Sequence, residues 1–182
     1  MNIRILDAED AGQYQLLRLE GLKTDPSAFG STYERETELL LEDFEQRIAP
    51  SENQLTVGGF DETRLVCTAS FIRSQEPKSK HKGSLVAMYC KSSYRGTGIA
   101  KEVVRHLLDR VRELKGIEVI NLAVVTENTR ATAFYESFGF EIYGTEPKAM
   151  FDGKKYYDEN KMALDMKDNS FVTNENIREE WR

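Results

Sequence analysis

Two glycines one residue apart stand inside Met88-Tyr89-Cys90-Lys91-Ser92-Ser93-Tyr94-Arg95-Gly96-Thr97-Gly98-Ile99-Ala100, between a strand-like run and the strongest helical pattern of the chain. Glycine lets the backbone turn tightly and lets a ligand approach the main chain closely. The free N–H groups that open the following helix, at the positive end of its dipole, suit a phosphate. Arg95 and Lys101 add positive charge beside them. The glycines alone fit a plain strand-to-helix connection equally well. A P-loop needs Gly-x-x-x-x-Gly-Lys-Ser/Thr, which is absent. The dinucleotide fingerprint needs Gly or Ala where Lys101 stands and an acid near the end of the next strand, whereas Glu118 stands at its start. Neither motif survives.

A second block, Asn128-Thr129-Arg130-Ala131-Thr132-Ala133-Phe134-Tyr135-Glu136-Ser137-Phe138-Gly139-Phe140, sets an amide, a phenol and a glycine at fixed spacing. By itself Asn128 reads as a helix cap or turn residue, and Tyr135 as an aromatic packing beside Phe134 and Phe138. Cys90 has no histidine in a motif near it and reads as a small strand residue rather than a nucleophile. His81 lies in a charged turn and His106 on a helix, so neither a metal site nor a triad is expected.

The elements that must position these residues follow from periodicity. Ile3 and Ile5 alternate with polar residues as a short strand, and Asp7 with Asp10 caps a helix striped by Tyr14, Leu17 and Leu22. Asp25-Pro26 breaks that helix, and 29–33 reads as a loop with two exposed aromatics, Phe29 and Tyr33. Helical spacing returns at Leu39, Leu40, Phe44 and Ile48. Residues 55–60 and 64–73 read as a hairpin, and 85–90 as a third strand. Ile99, Val103, Val104, Leu107, Leu108 and Val111 make one face of a helix over 97–115, ended by Gly116. The nearly continuous apolar run 117–125 predicts a central strand buried on both faces. A short helix over about 130–137 and strands at 140–143 and 156–164 complete an α/β fold with a mixed sheet.

A chain of 182 residues suits one domain, here 1–165, followed by a polar tail over 166–182. Ile177 and Trp181 would share one face of a short helix in that tail, docking on this chain or on a second copy as a homodimer; a solvated tail is the alternative. With 40% hydrophobic and 31% charged residues the composition excludes disorder. No apolar run approaches the roughly 18 residues of a membrane span. The first residues are too polar for a signal peptide. Two cysteines and no glycosylation sequon point to a cytoplasmic protein with reduced thiols. The net charge of −6 argues against a nucleic-acid binder, yet it is uneven: −8 over 1–70, +6 over 71–135 and −4 over 136–182. A basic middle between acidic flanks suggests an anionic ligand in the centre and cationic partners at the edges; chance segregation of surface charge is the alternative.

Arg95-Gly96-Thr97-Gly98-Ile99-Ala100 resembles the Arg/Gln-x-x-Gly-x-Gly/Ala signature of the GNAT superfamily of acetyl-CoA-dependent N-acetyltransferases. The block from Asn128 to Phe140 is similar to that family's second signature, at the expected distance. The resemblance covers about Ile3 to Leu164, element order included. Ser92, Cys90 and Ala100 depart mildly from the family pattern, with the loop glycines intact.

The resemblance implies a GNAT fold: a mixed, mostly antiparallel central sheet of about seven strands with splayed central strands, flanked by about four helices. It implies that Met88, Tyr89 and Cys90 lie on the splayed strand that pairs with the pantetheine arm, with a backbone amide there polarising the thioester carbonyl. Arg95, Gly96, Thr97, Gly98, Ile99 and Ala100 would wrap the pyrophosphate, and Asn128 would contact the arm. Tyr135 would be the general acid for the departing thiolate. Acetyl-CoA is then the cosubstrate and the anion of the basic middle, and the acidic flanks would face a cationic amine. For the general base, Glu34, Glu36, Glu127, Asp158 and Glu159 are candidates. The implied activity is acetyl transfer to a primary amine by direct attack; a non-catalytic acyl-CoA-binding module is the alternative. Small polyamines, antibiotics, amino acids, peptide N-termini and protein lysines all stay open as acceptors.

Overall fold

The computed structural model of the chain describes residues 1–167, so the tail residues Ile177 and Trp181 lie outside the described part. Among the described residues the elements run β1 (Asn2–Ile5), α1 (Ala11–Thr24), α2 (Tyr33–Thr37), α3 (Leu41–Ile48), β2 (Gln54–Asp61), β3 (Arg64–Arg73), β4 (Lys82–Cys90), α4 (Ile99–Glu113), β5 (Val119–Val125), α5 (Thr129–Glu136), β6 (Glu141–Phe151) and β7 (Tyr156–Asp165). The capping signal works as read: Asp10 accepts from the Asp7 N–H at 3.1 Å while Asp7 accepts from the Glu9 N–H at 2.9 Å, leading through a 3-10 turn into α1. The second helical region is two pieces, because Leu40 adopts extended backbone between α2 and α3.

The seven strands form one sheet in the order β1-β2-β3-β4-β5-β7-β6, antiparallel except for β4 beside β5. Helices cover both faces. A Cβ on Gly58 would strike Leu6 and Leu65, whereas one on Gly59 would come within 2.8 Å of Val103 on α4. Successive strand residues face opposite sides, so one apolar cluster lies under α4 and another under α1 and α3. The α4 stripe read from the sequence, Ile99 through Val111, is buried as a whole.

Two irregularities shape the middle of the sheet. β4 and β5 pair only at Lys82–Val119, Gly83–Ile120 and Ser84–Asn121. Beyond that point β4 continues to Cys90 paired with β3 alone, and β5 to Val125 paired with β7 alone, so the two strands splay. Within the splay, Thr68 and Ser70 of β3 face Tyr89 and Val86 of β4, which leaves β4 one residue longer and puts Ala87 at φ 52°. Such a bulge bends the strand and turns its groups outward. The expectation that β5 is buried on both faces does not hold: Val119 and Asn121 are half-buried and Ala123 exposed, alternate residues on the face opposite Ile120, Leu122 and Val124, and Ala123, past the last rung with β4, opens onto the gap. No helix among the described residues is long and apolar enough to cross a membrane.

Candidate active site

The gap between β4 and β5 opens into two clefts. The first, of about 520 Å³, runs past the loop after β4 and the start of α4; the second, of about 510 Å³, lies on the side of α2 and α3. Both are lined by Phe29, Met88, Ala123, Tyr135 and Glu159, so they meet at the splay.

In the first cleft the loop behaves as its glycines require. Gly96 and Gly98 stand at φ 83° and 92°, and Gly98 is the residue from which α4 starts. Nothing lies within 4 Å of where a Cβ on either would sit, so the backbone faces open space beside the unpaired N–H groups of the first turn. Met88, Tyr89, Cys90, Arg95 and Ala100 line this cleft with the two glycines, and Asn128 and Tyr135 line its far wall. Thr97 and Ile99 do not. The Thr97 hydroxyl donates to the Tyr94 carbonyl at 2.7 Å, and Ile99 is a core residue of α4, so their side chains are committed elsewhere. Arg95 is also less available than a free cation: its guanidinium donates to the Cys90 carbonyl at 3.1 Å and to Asp25 at 2.5 Å. Lys101 and Arg130, which line the same cleft, make no ion pair among the described residues. Positive charge there comes from these two and from the helix terminus.

Asn128 caps α5, its Oδ1 accepting from the Ala131 N–H at 3.1 Å, which orients the rest of the amide at the cleft wall. About two turns on, Tyr135 packs edge-on against Phe134 and Phe140 and is 8% exposed. Burial, followed by the nearby Cys67 sulfur, pushes its phenol above the usual value, so it stays protonated. Tyr135 thus both packs against its aromatic neighbours and lines the two clefts where they meet. Cys67 and Cys90 are cross-strand partners; the thiol of Cys67 is held up by its hydrogen bond to Cys90 and by burial. That same bond, with Arg95 and Arg130, lowers Cys90.

The five carboxylates considered as bases separate clearly. Glu34 and Glu127 line neither cleft, and Glu127 pairs with Lys155 at 2.5 Å. Asp158 lines neither and accepts from the Lys148 N–H at 2.7 Å. Glu36 lines the second cleft but takes Arg18 at 3.0 and 2.9 Å and Arg47 at 3.1 Å. Burial alone would raise its pKa; the bond and charge of Arg18, with Ser31 and Arg47, outweigh burial and hold it at about 2. Glu159 is the candidate that lines both clefts, with Lys161 2.7 Å away.

Several lining residues carried no sequence signal. Phe29 is half-buried rather than exposed: its ring lies 6.3 Å from that of Tyr89 and under the Arg18 guanidinium at 4.5 Å. Tyr33 is half-buried too, with Lys23 over its ring at 4.1 Å. Asp25, read only as a helix breaker, is the partner of Arg95. Among the described residues, no group of three or more His, Cys, Asp or Glu is arranged to hold a metal ion.

A splayed mixed sheet, a bulged β4 and a glycine loop at a helix start together make a GNAT fold. Residues 19–140 match the model of the Acetyltransferase (GNAT) family, and the chain belongs to that family. No curated protein matches the chain. Among solved structures, the GNAT-family acetyltransferase of Streptococcus pneumoniae is 22% identical, with a TM-score of 0.79 over 90% of this chain and 97% of that one. The yncA protein of Salmonella typhimurium, solved with its cofactor acetyl-CoA, is 17% identical at a TM-score of 0.77, covering 91% and 94%. Ribosomal-protein-alanine N-acetyltransferase of Brucella melitensis is 19% identical at 0.73, covering 91% and 99%. At these identities the likeness is one of fold.

Proposed function

We propose that the chain transfers acetyl from acetyl-CoA to a primary amine by direct attack, with the donor in the first cleft and the acceptor in the second. The observation that carries this reading is that the two clefts meet at Met88, Ala123, Tyr135 and Glu159. A site shared by two openings brings donor and acceptor together, making a bimolecular step effectively unimolecular. The residues present fit acetyl-CoA: an open glycine backbone at a helix start, Lys101 and Arg130 for phosphates, and an unpaired stretch of β4 for an extended arm. When bound, acetyl-CoA supplies an activated acetyl thioester.

The rest is the work of this chain. Within 95–100 the backbone N–H groups of Gly96, Gly98, Ile99 and Ala100 are left for the pyrophosphate, those of Arg95 and Thr97 donating to the Ser92 and Tyr94 carbonyls; Gly96 and Gly98 leave the approach open, and Asn128 faces the arm. Glu159 takes a proton from the protonated amine, which frees its lone pair for attack. Tyr135 gives its proton to the departing thiolate. Both proton transfers occur at the splay, where the two clefts meet. The similar Brucella melitensis protein is a ribosomal-protein-alanine N-acetyltransferase, so peptide amines belong in the acceptor panel beside small ones.

Thiol release from acetyl-CoA with such a panel tests the reading. Amine-dependent release with stoichiometric acetylated product is the expected result. Tight acetyl-CoA binding without turnover on any acceptor would overturn it in favour of a non-catalytic acyl-CoA-binding module.

A further inference from the structure

Resting on the acetyl-transfer reading above, we infer that the acceptor is an amine that also carries an oxyanion, of the carboxylate or phosphate type, held in the second cleft by Arg35 and Arg47.

Three guanidiniums line that cleft, Arg18, Arg35 and Arg47, against two carboxylates, Glu36 and Glu159. Glu36, 2% exposed, answers two of the arginines at once. Arg18 gives it both a Nε and a terminal nitrogen, and lies over the Phe29 ring, so its fork is committed. Arg47 reaches Glu36 through one nitrogen only and is 39% exposed. A guanidinium has five N–H donors, so most of the Arg47 fork is left for something else. Arg35 is exposed, and its side chain has no hydrogen bond or ion pair among the described residues. Glu159 already has the Lys161 ammonium at 2.7 Å. The uncompensated charge in the cleft is therefore positive.

This reverses the expectation from the chain-wide charge count. Residues 1–70 carry a net −8, yet the charged residues of that segment that reach the cleft are three arginines and one glutamate. A simple cationic amine would add positive charge to positive charge. An amine with an oxyanion places that group against a planar fork built for it, and leaves the nitrogen free to extend to Glu159 at the splay. Specificity of this kind works by rejecting the wrong charge as much as by binding the right one.

The test uses the full chain, saturating acetyl-CoA, and a series of ω-amino acids from glycine upward, with matched amides, matched alkylamines and O-phosphoethanolamine. At least one acidic amine is expected to exceed its amide and alkylamine partners in kcat/KM by about tenfold or more. Whether the preferred member is a carboxylate or the phosphate names the oxyanion. Arg35→Gln and Arg47→Gln should each raise KM for that acceptor about tenfold, leave KM for acetyl-CoA unchanged, and erase the preference over the amide. Arg47→Gln keeps the Arg18–Glu36 pair, and a melting curve verifies that both variants are folded. Equal turnover of acids and amides, or turnover confined to neutral and cationic acceptors, would overturn the inference and leave acetyl transfer standing. Calorimetry of the acidic amines against the coenzyme A-bound chain separates the two ideas. Acidic amines that bind selectively but are never acetylated support the cleft assignment and remove the transfer reading. Absence of both binding and turnover for the acidic series removes the inference.

Discussion

Tyr135 and Glu159 face the same small volume from α5 and β7, one protonated by its buried surroundings and the other an acid paired with Lys161. Their proposed roles have separable signatures. Tyr135→Phe keeps the ring and its edge contacts with Phe134 and Phe140 while deleting the proton donor. Acetyl-CoA binding and thermal stability should stay near normal, with kcat reduced by about ten- to a thousand-fold, the lower end allowing for water as acid. A kcat within about twofold of the parent, under conditions where chemistry limits the rate, would leave Tyr135 as a packing residue. Glu159→Gln removes the base but not the hydrogen-bonding shape. At neutral pH we expect kcat/KM to fall by about 10²-fold or more. The deficit should shrink as pH rises toward the amine's own pKa, because an acceptor already deprotonated needs no base. A pH profile of kcat/KM that runs parallel to the parent at every pH would exclude that role.

At the scale of the element, the loop between β4 and α4 is set by backbone conformation. Gly98 holds φ 92°, a region that an L side chain adopts only with strain. Valine there would be strained, and its methyls would enter the open space in front of the helix N–H groups. Gly98→Val should therefore lower acetyl-CoA affinity by at least about tenfold, measured by calorimetry, beyond a stability loss of about 1–3 kcal/mol. Unchanged affinity would move the phosphate site elsewhere. The bulge in β4 acts at the same scale: with Ala87 at φ 52°, the strand turns its edge toward the splay, where β5 no longer pairs with it.

At the scale of the molecule, Glu36 ties three helices into one wall: it sits on α2, Arg18 on α1 and Arg47 on α3. Its folded pKa of about 2 lies below its ordinary value of 4.5. The stabilisation this represents, about 3 kcal/mol, is fully present above pH 4.5 and is lost as pH falls toward 2. Glu36→Gln should be destabilised at pH 7, since it leaves the half-buried Arg18 without its counter-charge. The gap between parent and variant, followed by urea unfolding, should narrow between pH 5 and pH 2.5. A constant gap would mean that Glu36 acts by shape rather than charge.

Much of this was legible along the chain because it is local. The Gly96–Gly98 spacing, the α4 stripe, the Asp7–Asp10 cap and the interval from Asn128 to Tyr135 each lie within one loop or a few helical turns, where spacing determines geometry. Other features joined residues far apart in sequence. Asp25 meets Arg95 across 70 positions, and Glu159 reaches the splay from the last strand. The charge count by segment pointed the wrong way for the acceptor cleft, since it sums side chains without regard to the face they take. Thr97 and Ile99 belong to the motif as residues but turn their side chains elsewhere, Ile99 because α4 buries its stripe against the sheet and Thr97 because its hydroxyl donates to the Tyr94 carbonyl. The sequence by itself thus determined the family, the order of the strands and the main helices, and the glycine loop, but not the division of the second helical region into α2 and α3. Only the tertiary structure decided where β4 and β5 part, which acid stands in both clefts, and which charges remain unpaired, because those depend on packing between elements that the chain connects only at a distance.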